Sequence, residues 1–161
     1  MVTSQLVSHV RMKKVIIGAD HGGVRLKDEL VLMLSGQFDV QDMGTHGTTA
    51  VDYPNVAEAV GKAVVSSNGG AAGILVCGSG IGVSIAANKV TGVRAALVHD
   101  AYTARMSRMH NDANVVCLGE RVTGSEVAKD AVNVFLSTAF EGGRHAKRVD
   151  LISALDSSRG C

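Results

Sequence analysis

Short apolar runs rich in β-branched residues, separated by longer segments of helical period, constrain this chain more than any other feature in its 161 residues. The first run, 15–18, is bounded by the polar turn Asp20-His21-Gly22-Gly23. Leu26, Leu30, Met33 and Leu34 then recur at helical spacing, with Arg25, Lys27, Asp28 and Glu29 assigned to the opposite, solvent face. A weaker strand over 38–43 follows, and Pro54 suits the start of a helix whose apolar stripe is Val56, Ala57, Val60, Ala63 and Val64. Strands are predicted over 72–77, 93–98 and 115–118, and helices from Gly80 to about Asn88 and over 101–109, 125–138 and 143–155.

Strands apolar on both faces and separated by helices indicate a parallel sheet covered on both sides. Right-handed crossovers turn that pattern into an α/β fold: a doubly wound, three-layer sandwich with a five-stranded parallel sheet, Rossmann-like. The expected organisation is one domain over 13–155, with 1–12 as a loose leader and 156–161 as a C-terminal tail. The longest uncharged stretch, 63–88, is interrupted by six Gly, four Ser and two Asn, so it does not read as a membrane span. Residues 1–12 lack the continuous apolar core of a secretory signal.

Composition narrows the function. Lys and Arg number 16 against 15 Asp and Glu, and there is no Trp, two Tyr and three Phe, which disfavours nucleic acid as a partner. Three Cys without paired spacing suit a reducing compartment, and the cytoplasm is expected, with an organelle left open. Cys161, at the end of the chain, is expected to be solvated.

In doubly wound sheets, ligands bind beyond the carboxyl ends of the strands. That rule picks out loops beginning at Asp20, Gly44, Cys77, His99 and Gly119 and gathers Asp20, His21, His46, Asp52, Ser79, His99, Asp100, Glu120 and Arg121, and the segments that follow add His110, Asn111, Arg144, His145 and Arg148. Gly78-Ser79-Gly80-Ile81-Gly82, between a strand and a helix, suits a backbone cradle for negative charge, although a tight turn is the plainer reading. A dinucleotide site competes, since Asp100 ends the next strand about 20 residues on, but Val83 stands where that fingerprint has Gly or Ala. Cys77, at the strand end before this loop, is placed where a thiolate is favoured, whereas Cys117 reads as core. Arg144 and Arg148 share a helix face, as a phosphate clamp or as a solvated charge cluster. None of the six His has the spacing of a zinc motif, so no metal is expected.

Together these segments resemble the ribose-5-phosphate isomerase B family, which includes galactose-6-phosphate isomerase subunits. The matching segments are 17–22, Asp52-Tyr53-Pro54, 77–82 with 85–89, 109–114, and Glu141-Gly142-Gly143-Arg144-His145 with Arg148, spread over roughly 13–155. The resemblance implies a cofactor-independent aldose–ketose isomerase that works through an enediolate. It assigns the proton-transferring base to Cys77, since another branch carries a Glu where Val83 stands here. Donors for the oxyanion would come from the backbone over 79–83, with Ser79 helping protons between oxygens. Ring opening falls to His110, with Asn111 nearby. Asp20 and Asp52 would orient hydroxyls, with Tyr53 and Gly78 to Gly82, including Ile81, around the substrate. Arg144, His145 and Arg148 would hold the phosphate, with His21 and Arg121 assisting.

The resemblance further implies a homodimer with a shared active site, leaving dimer against tetramer open. The segments His110-Asn111-Asp112 and 142–145 favour ribose 5-phosphate, of the non-oxidative pentose phosphate branch, over galactose or allose 6-phosphate. The competing functions are a nucleotide or sugar-phosphate binding module without catalysis, and a metal-dependent hydrolase.

Overall fold

A computed structural model describes residues 13–157 of the chain. The expected leader and the terminal Cys161 lie outside the described residues. In chain order the elements are β1 (Lys14–Ala19), α1 (Val24–Leu34), β2 (Asp39–Asp42), α2 (Tyr53–Ser66), β3 (Ala71–Cys77) and α3 (Ile81–Ala87). They continue with β4 (Ala95–Leu97), α4 (Ala101–Asn111), β5 (Val115–Gly119), α5 (Ser125–Ser137) and α6 (Arg144–Ser157). The five strands form one parallel sheet in the order β2-β1-β3-β5-β4, which is the expected doubly wound α/β sandwich.

The apolar runs become strands because both of their faces are covered. Every residue of β3 and β5 is buried, as are five of the six in β1. On one face Val15, Ile17, Ile74, Val76 and Leu118 pack with Leu26, Leu30 and Leu34 of α1, Ala104 of α4 and Phe135 of α5. On the other face Ile16, Leu75, Cys77 and Cys117 meet Ala57, Val60 and Val64 of α2 and Val83 of α3. Each fully buried Val, Leu, Ile or Phe contributes roughly 1.5–3 kcal/mol. Two cores on opposite faces therefore hold the sheet edge-on, and its two ends stay clear for loops.

Three details depart from the sequence pattern. Lys27, assigned to solvent by its place on the polar face of α1, has a side chain that is 0% exposed. Its Nζ donates to Asp28 Oδ1 and to Asp42 Oδ2, each at 2.6 Å, which fastens α1 to the end of β2. The helical pattern gives no sign of this, because the partner that compensates the buried charge lies 15 residues away.

Strand β4 is shorter than 93–98, although its flanks keep backbone bonds to the β5 segment, from Asn114 N–H to the Arg94 carbonyl and from Val98 N–H to the Cys117 carbonyl, both at 3.0 Å. Arg94 N–H donates to Asn114 Oδ1 at 2.8 Å. The amide of Asn88 brackets Ala95, accepting from its N–H and donating to its carbonyl, both at 2.9 Å. Helix α6 runs on to Ser157, two residues into the expected tail.

The order reverses at β1 and β3: from β1 the chain first moves outward to β2, then crosses to β3 on the other side. Such a switch point opens a crevice at the carboxyl ends of the two strands. Asp20 follows β1 and Cys77 ends β3, so both stand at that crevice.

Candidate active site

The crevice is a cleft of about 350 Å³ lined by Asp20, Tyr53, Cys77, Gly78, Ser79, Gly82, Arg121 and Val122. Seven of these eight are residues that the sequence singles out, and Val122 is the one it gives no reason to expect. Asp20 is buried, and its Oδ1 accepts the N–H of Gly22 at 2.9 Å, which fixes the first loop. Backbone bonds from Glu120 N–H to the Cys77 carbonyl (2.9 Å) and from Arg121 N–H to the Gly78 carbonyl (3.0 Å) hold the glycine loop from the far side. The Arg121 guanidinium lies over Gly78, where a β-carbon would stand 3.4 Å from it. The ring of Tyr53 lies against Gly82, and a β-carbon there would come within 2.8 Å of it.

Cys77 Sγ accepts the backbone N–H of Gly80 at 3.0 Å. This contact needs the left-handed turn at Gly80 (φ +78°), where a side chain would strike Leu97 at 2.6 Å and the Leu118 carbonyl carbon at 2.8 Å. Ile81 N–H donates to Ser79 Oγ at 3.3 Å. The next N–H groups, of Gly82 and Val83, open the first turn of α3 and have no acceptor within the helix. A thiol, a hydroxyl and backbone donors thus converge on one concave surface, an arrangement suited to moving a proton beside a developing oxyanion. Cys117, by contrast, is fully buried between the strands and α2–α3, and burial pushes its thiol up out of the range where it ionises.

His21 and Asp52 are exposed and do not line the cleft; His21 follows Asp20, and Asp52 caps α2 without a side-chain bond. Gly80 and Ile81 belong to the loop and helix start, with Ile81 outward. Asp100, the acidic residue of the dinucleotide reading, has a structural task instead. It caps α4, accepting Thr103 N–H at 2.7 Å.

His110, Asn111, Arg144, His145 and Arg148 do not join this cleft, contrary to their grouping with the carboxyl-end loops. Helix α4 starts beyond β4 and returns antiparallel to the strands, so His110 and Asn111 arrive beside the amino end of β5. Helix α5 returns likewise, bringing residues 139–143 and the start of α6 to the same end, where Glu141 N–H donates to the Met109 carbonyl at 3.0 Å. Cys77 is paired with Gly119, and β5 alone spans about 13 Å from Val115 to Gly119.

At this second place the rings of His110 and His145 stack face to face, with centroids 4.1 Å apart and planes within 5°. Glu141 Oε2 is 3.7 Å from His110 Nε2 and 3.8 Å from His145 Nε2. Arg144 Nε donates to His145 Nε2 at 3.3 Å. Burial holds His145 below the ordinary histidine range, and the neighbouring His110, Arg144 and Arg148 reinforce this against Glu141. His110, Glu141 and His145 also form a grouping that sequence spacing does not reveal, with donor atoms all within 4.8 Å. Their rings are parallel, so the in-plane lone pairs do not meet at one point, and holding a metal ion would require one ring to turn.

No helix among the described residues is long and apolar enough to cross a membrane. The Ribose/Galactose Isomerase family matches residues 15–152. Ribose-5-phosphate isomerase B of Escherichia coli (strain K12) is 45% identical over 149 residues, which cover 92% of this chain and 99% of that protein. The solved ribose-5-phosphate isomerase B of Clostridium thermocellum is 49% identical with a TM-score of 0.88, covering 91% of this chain and 99% of the other. That of Mycoplasma genitalium, solved with bound ribulose 5-phosphate, is 40% identical with a TM-score of 0.86, covering 89% and 96%. Matched over nearly its whole described length by family, sequence and structure alike, the chain belongs to the ribose/galactose isomerase family.

Proposed function

We propose that the protein interconverts ribose 5-phosphate and ribulose 5-phosphate through an enediolate, at a site completed by a second copy of the chain. The observation that carries the reading is the Cys77 thiol on the wall of the cleft, with its sulfur accepting the Gly80 N–H. The thiolate removes the proton from C2 of the open aldehyde while the C1 oxygen takes up a proton, giving the enediol. Loss of the C2 hydroxyl proton and return of a proton to C1 complete the ketone. The N–H groups of Gly82 and Val83 stabilise the oxyanion, and Ser79 Oγ passes protons between the two oxygens.

His110 opens the furanose, while Arg144 and Arg148 hold the phosphate dianion, joined by His145, by Arg121 from the cleft and by His21 from the exposed loop after Asp20. Because these groups stand at the opposite end of the sheet from Cys77, the His110 group that serves one cleft comes from the partner copy. A homodimer then carries two equivalent sites, as an isologous pair requires.

Incubation of the purified protein with ribose 5-phosphate in the presence of chelator is expected to yield ribulose 5-phosphate. Tight mononucleotide or NAD binding without isomerisation would support the binding-module reading instead. Comparison with allose 6-phosphate measures the preference for five carbons.

A further inference from the structure

Glu141 stands in the second cluster with no role of its own in the reaction, yet its carboxylate faces both stacked imidazoles. The two rings are not equivalent toward it. His145 Nε2 accepts the Arg144 N–H, so that nitrogen has no proton to offer a carboxylate. Glu141 Oε2, 3.7 Å from His110 Nε2 and beyond hydrogen-bond distance, therefore acts on that nitrogen through its charge. A negative charge beside one imidazole nitrogen favours the tautomer that carries its proton there.

We propose that Glu141 is a positioning residue that keeps the neutral His110 ring protonated on Nε2, leaving Nδ1 as its acceptor, while the stacked His145 fixes the ring plane. The proposal rests on the isomerase reading for its consequence. In ring opening the proton leaving the anomeric hydroxyl is taken at Nδ1 and delivered to the ring oxygen as the bond from that oxygen to C1 breaks. A histidine held as the other tautomer presents a donor where this step needs an acceptor.

The surroundings make Glu141 the one acidic group in this cluster. The other charged groups there are Arg144 and Arg148 of α6, and both repel a proton from the His145 imidazole. Asp112, just past the end of α4, is bound by Arg94 (3.0 Å) and Arg108 (2.8 Å). Glu141 is itself tied in place by its backbone bond to Met109, one residue before His110.

The experiment separates ring opening from enolisation. Ribulose 5-phosphate is acyclic, because its C5 oxygen carries the phosphate and cannot close a five-membered ring on C2. Exchange of its C1 proton with deuterated water therefore needs the thiolate but no ring opening. In Glu141→Gln, turnover of ribose 5-phosphate is expected to fall about tenfold, with Glu141→Asp recovering part of it, while C1 exchange falls much less. Nitrogen-15 spectra of His110 in the full-length protein are expected to show the Nε2-protonated ring in the unaltered chain and a mixture in Glu141→Gln.

Equal losses of turnover and exchange, or an unchanged tautomer ratio, would overturn the proposal. If the unaltered protein does not isomerise ribose 5-phosphate, the isomerase reading fails, and the tautomer spectra alone decide whether Glu141 controls His110.

Discussion

Cys77 and His110 stand at opposite ends of the same sheet, one closing the carboxyl end of β3 and the other ending the helix that leads into the amino end of β5. Neither bending a loop nor changing a rotamer joins them within one chain, since the buried β5 and its two cores lie between. Chemistry that uses both residues has to recruit them from two chains.

Mixing two inactive variants tests that arrangement. Cys77→Ala and His110→Ala homodimers each lack one component at both sites, but a mixed dimer has one site with both intact. Unfolding and refolding an equal mixture should recover about one quarter of the unaltered activity, because half the dimers are mixed and half their sites are whole. Activity that stays at the level of the separate variants would show that both residues serve from a single chain.

The two buried cysteines are expected to behave differently. Cys77→Ala should lower turnover of ribose 5-phosphate about a thousandfold while calorimetry still detects ribose 5-phosphate binding. Cys117→Ala should keep turnover and lose stability through the small void left between β5 and helices α2 and α3. Unchanged turnover in Cys77→Ala would remove the thiol as the base.

At Gly80 conformation and packing act together. Alanine there must hold a positive φ and put a methyl group against the Leu118 backbone as well as the Leu97 side chain. The change is expected to cost about 3 kcal/mol, measured by denaturant unfolding, and to withdraw the N–H from Cys77 Sγ, so that kcat falls with it.

Stability is expected to decline at both ends of the pH range. Burial opposes the charge on Lys27, but bonds to Asp28 and Asp42 outweigh it and raise its value above the ordinary 10.5. That contribution is complete below pH 10.5 and is lost as pH rises through the raised folded value. His145 is depressed below the ordinary 6.5 by burial first and then by His110, Arg144 and Arg148, so its contribution is complete above pH 6.5 and is lost as pH falls through the depressed value. Melting temperatures of His145→Gln should fall less steeply below pH 6.5 than those of the unaltered chain. Asp42→Asn, which leaves Asp28 as the one carboxylate on the buried ammonium, should cost about 2 kcal/mol at neutral pH, more than Lys27→Met, which leaves carboxylates that reach water.

The cleft around Cys77 is legible in the sequence because its parts are local: an apolar run ending in a thiol, then glycines, then a helix. Asp20 and Arg121 join it through a rule of the fold, since strand ends in a parallel sheet share one side. His110 is misplaced by the same rule when the length of α4 is not followed, for eleven residues carry the chain back across the full depth of the sheet. The stacking of His110 on His145 and the approach of Glu141 to His110 depend on contacts across 35 and 31 residues of sequence, and no periodicity encodes them. Lys27 shows the same limit in the core: its helical position marks it for solvent, and its burial between Asp28 and the distant Asp42 is not written in that pattern.

The bracket that Asn88 places on Ala95 has a consequence beyond β4 itself. Its amide has the same donor and acceptor as a peptide unit, and at Ala95 it occupies the place that a further strand would take. An exposed strand edge invites pairing with other chains, and here that invitation is withdrawn by a side chain of the same molecule. At Ala95 the β4 edge of the sheet is thus closed to a further strand by the chain's own side chain, while β2 forms the opposite edge.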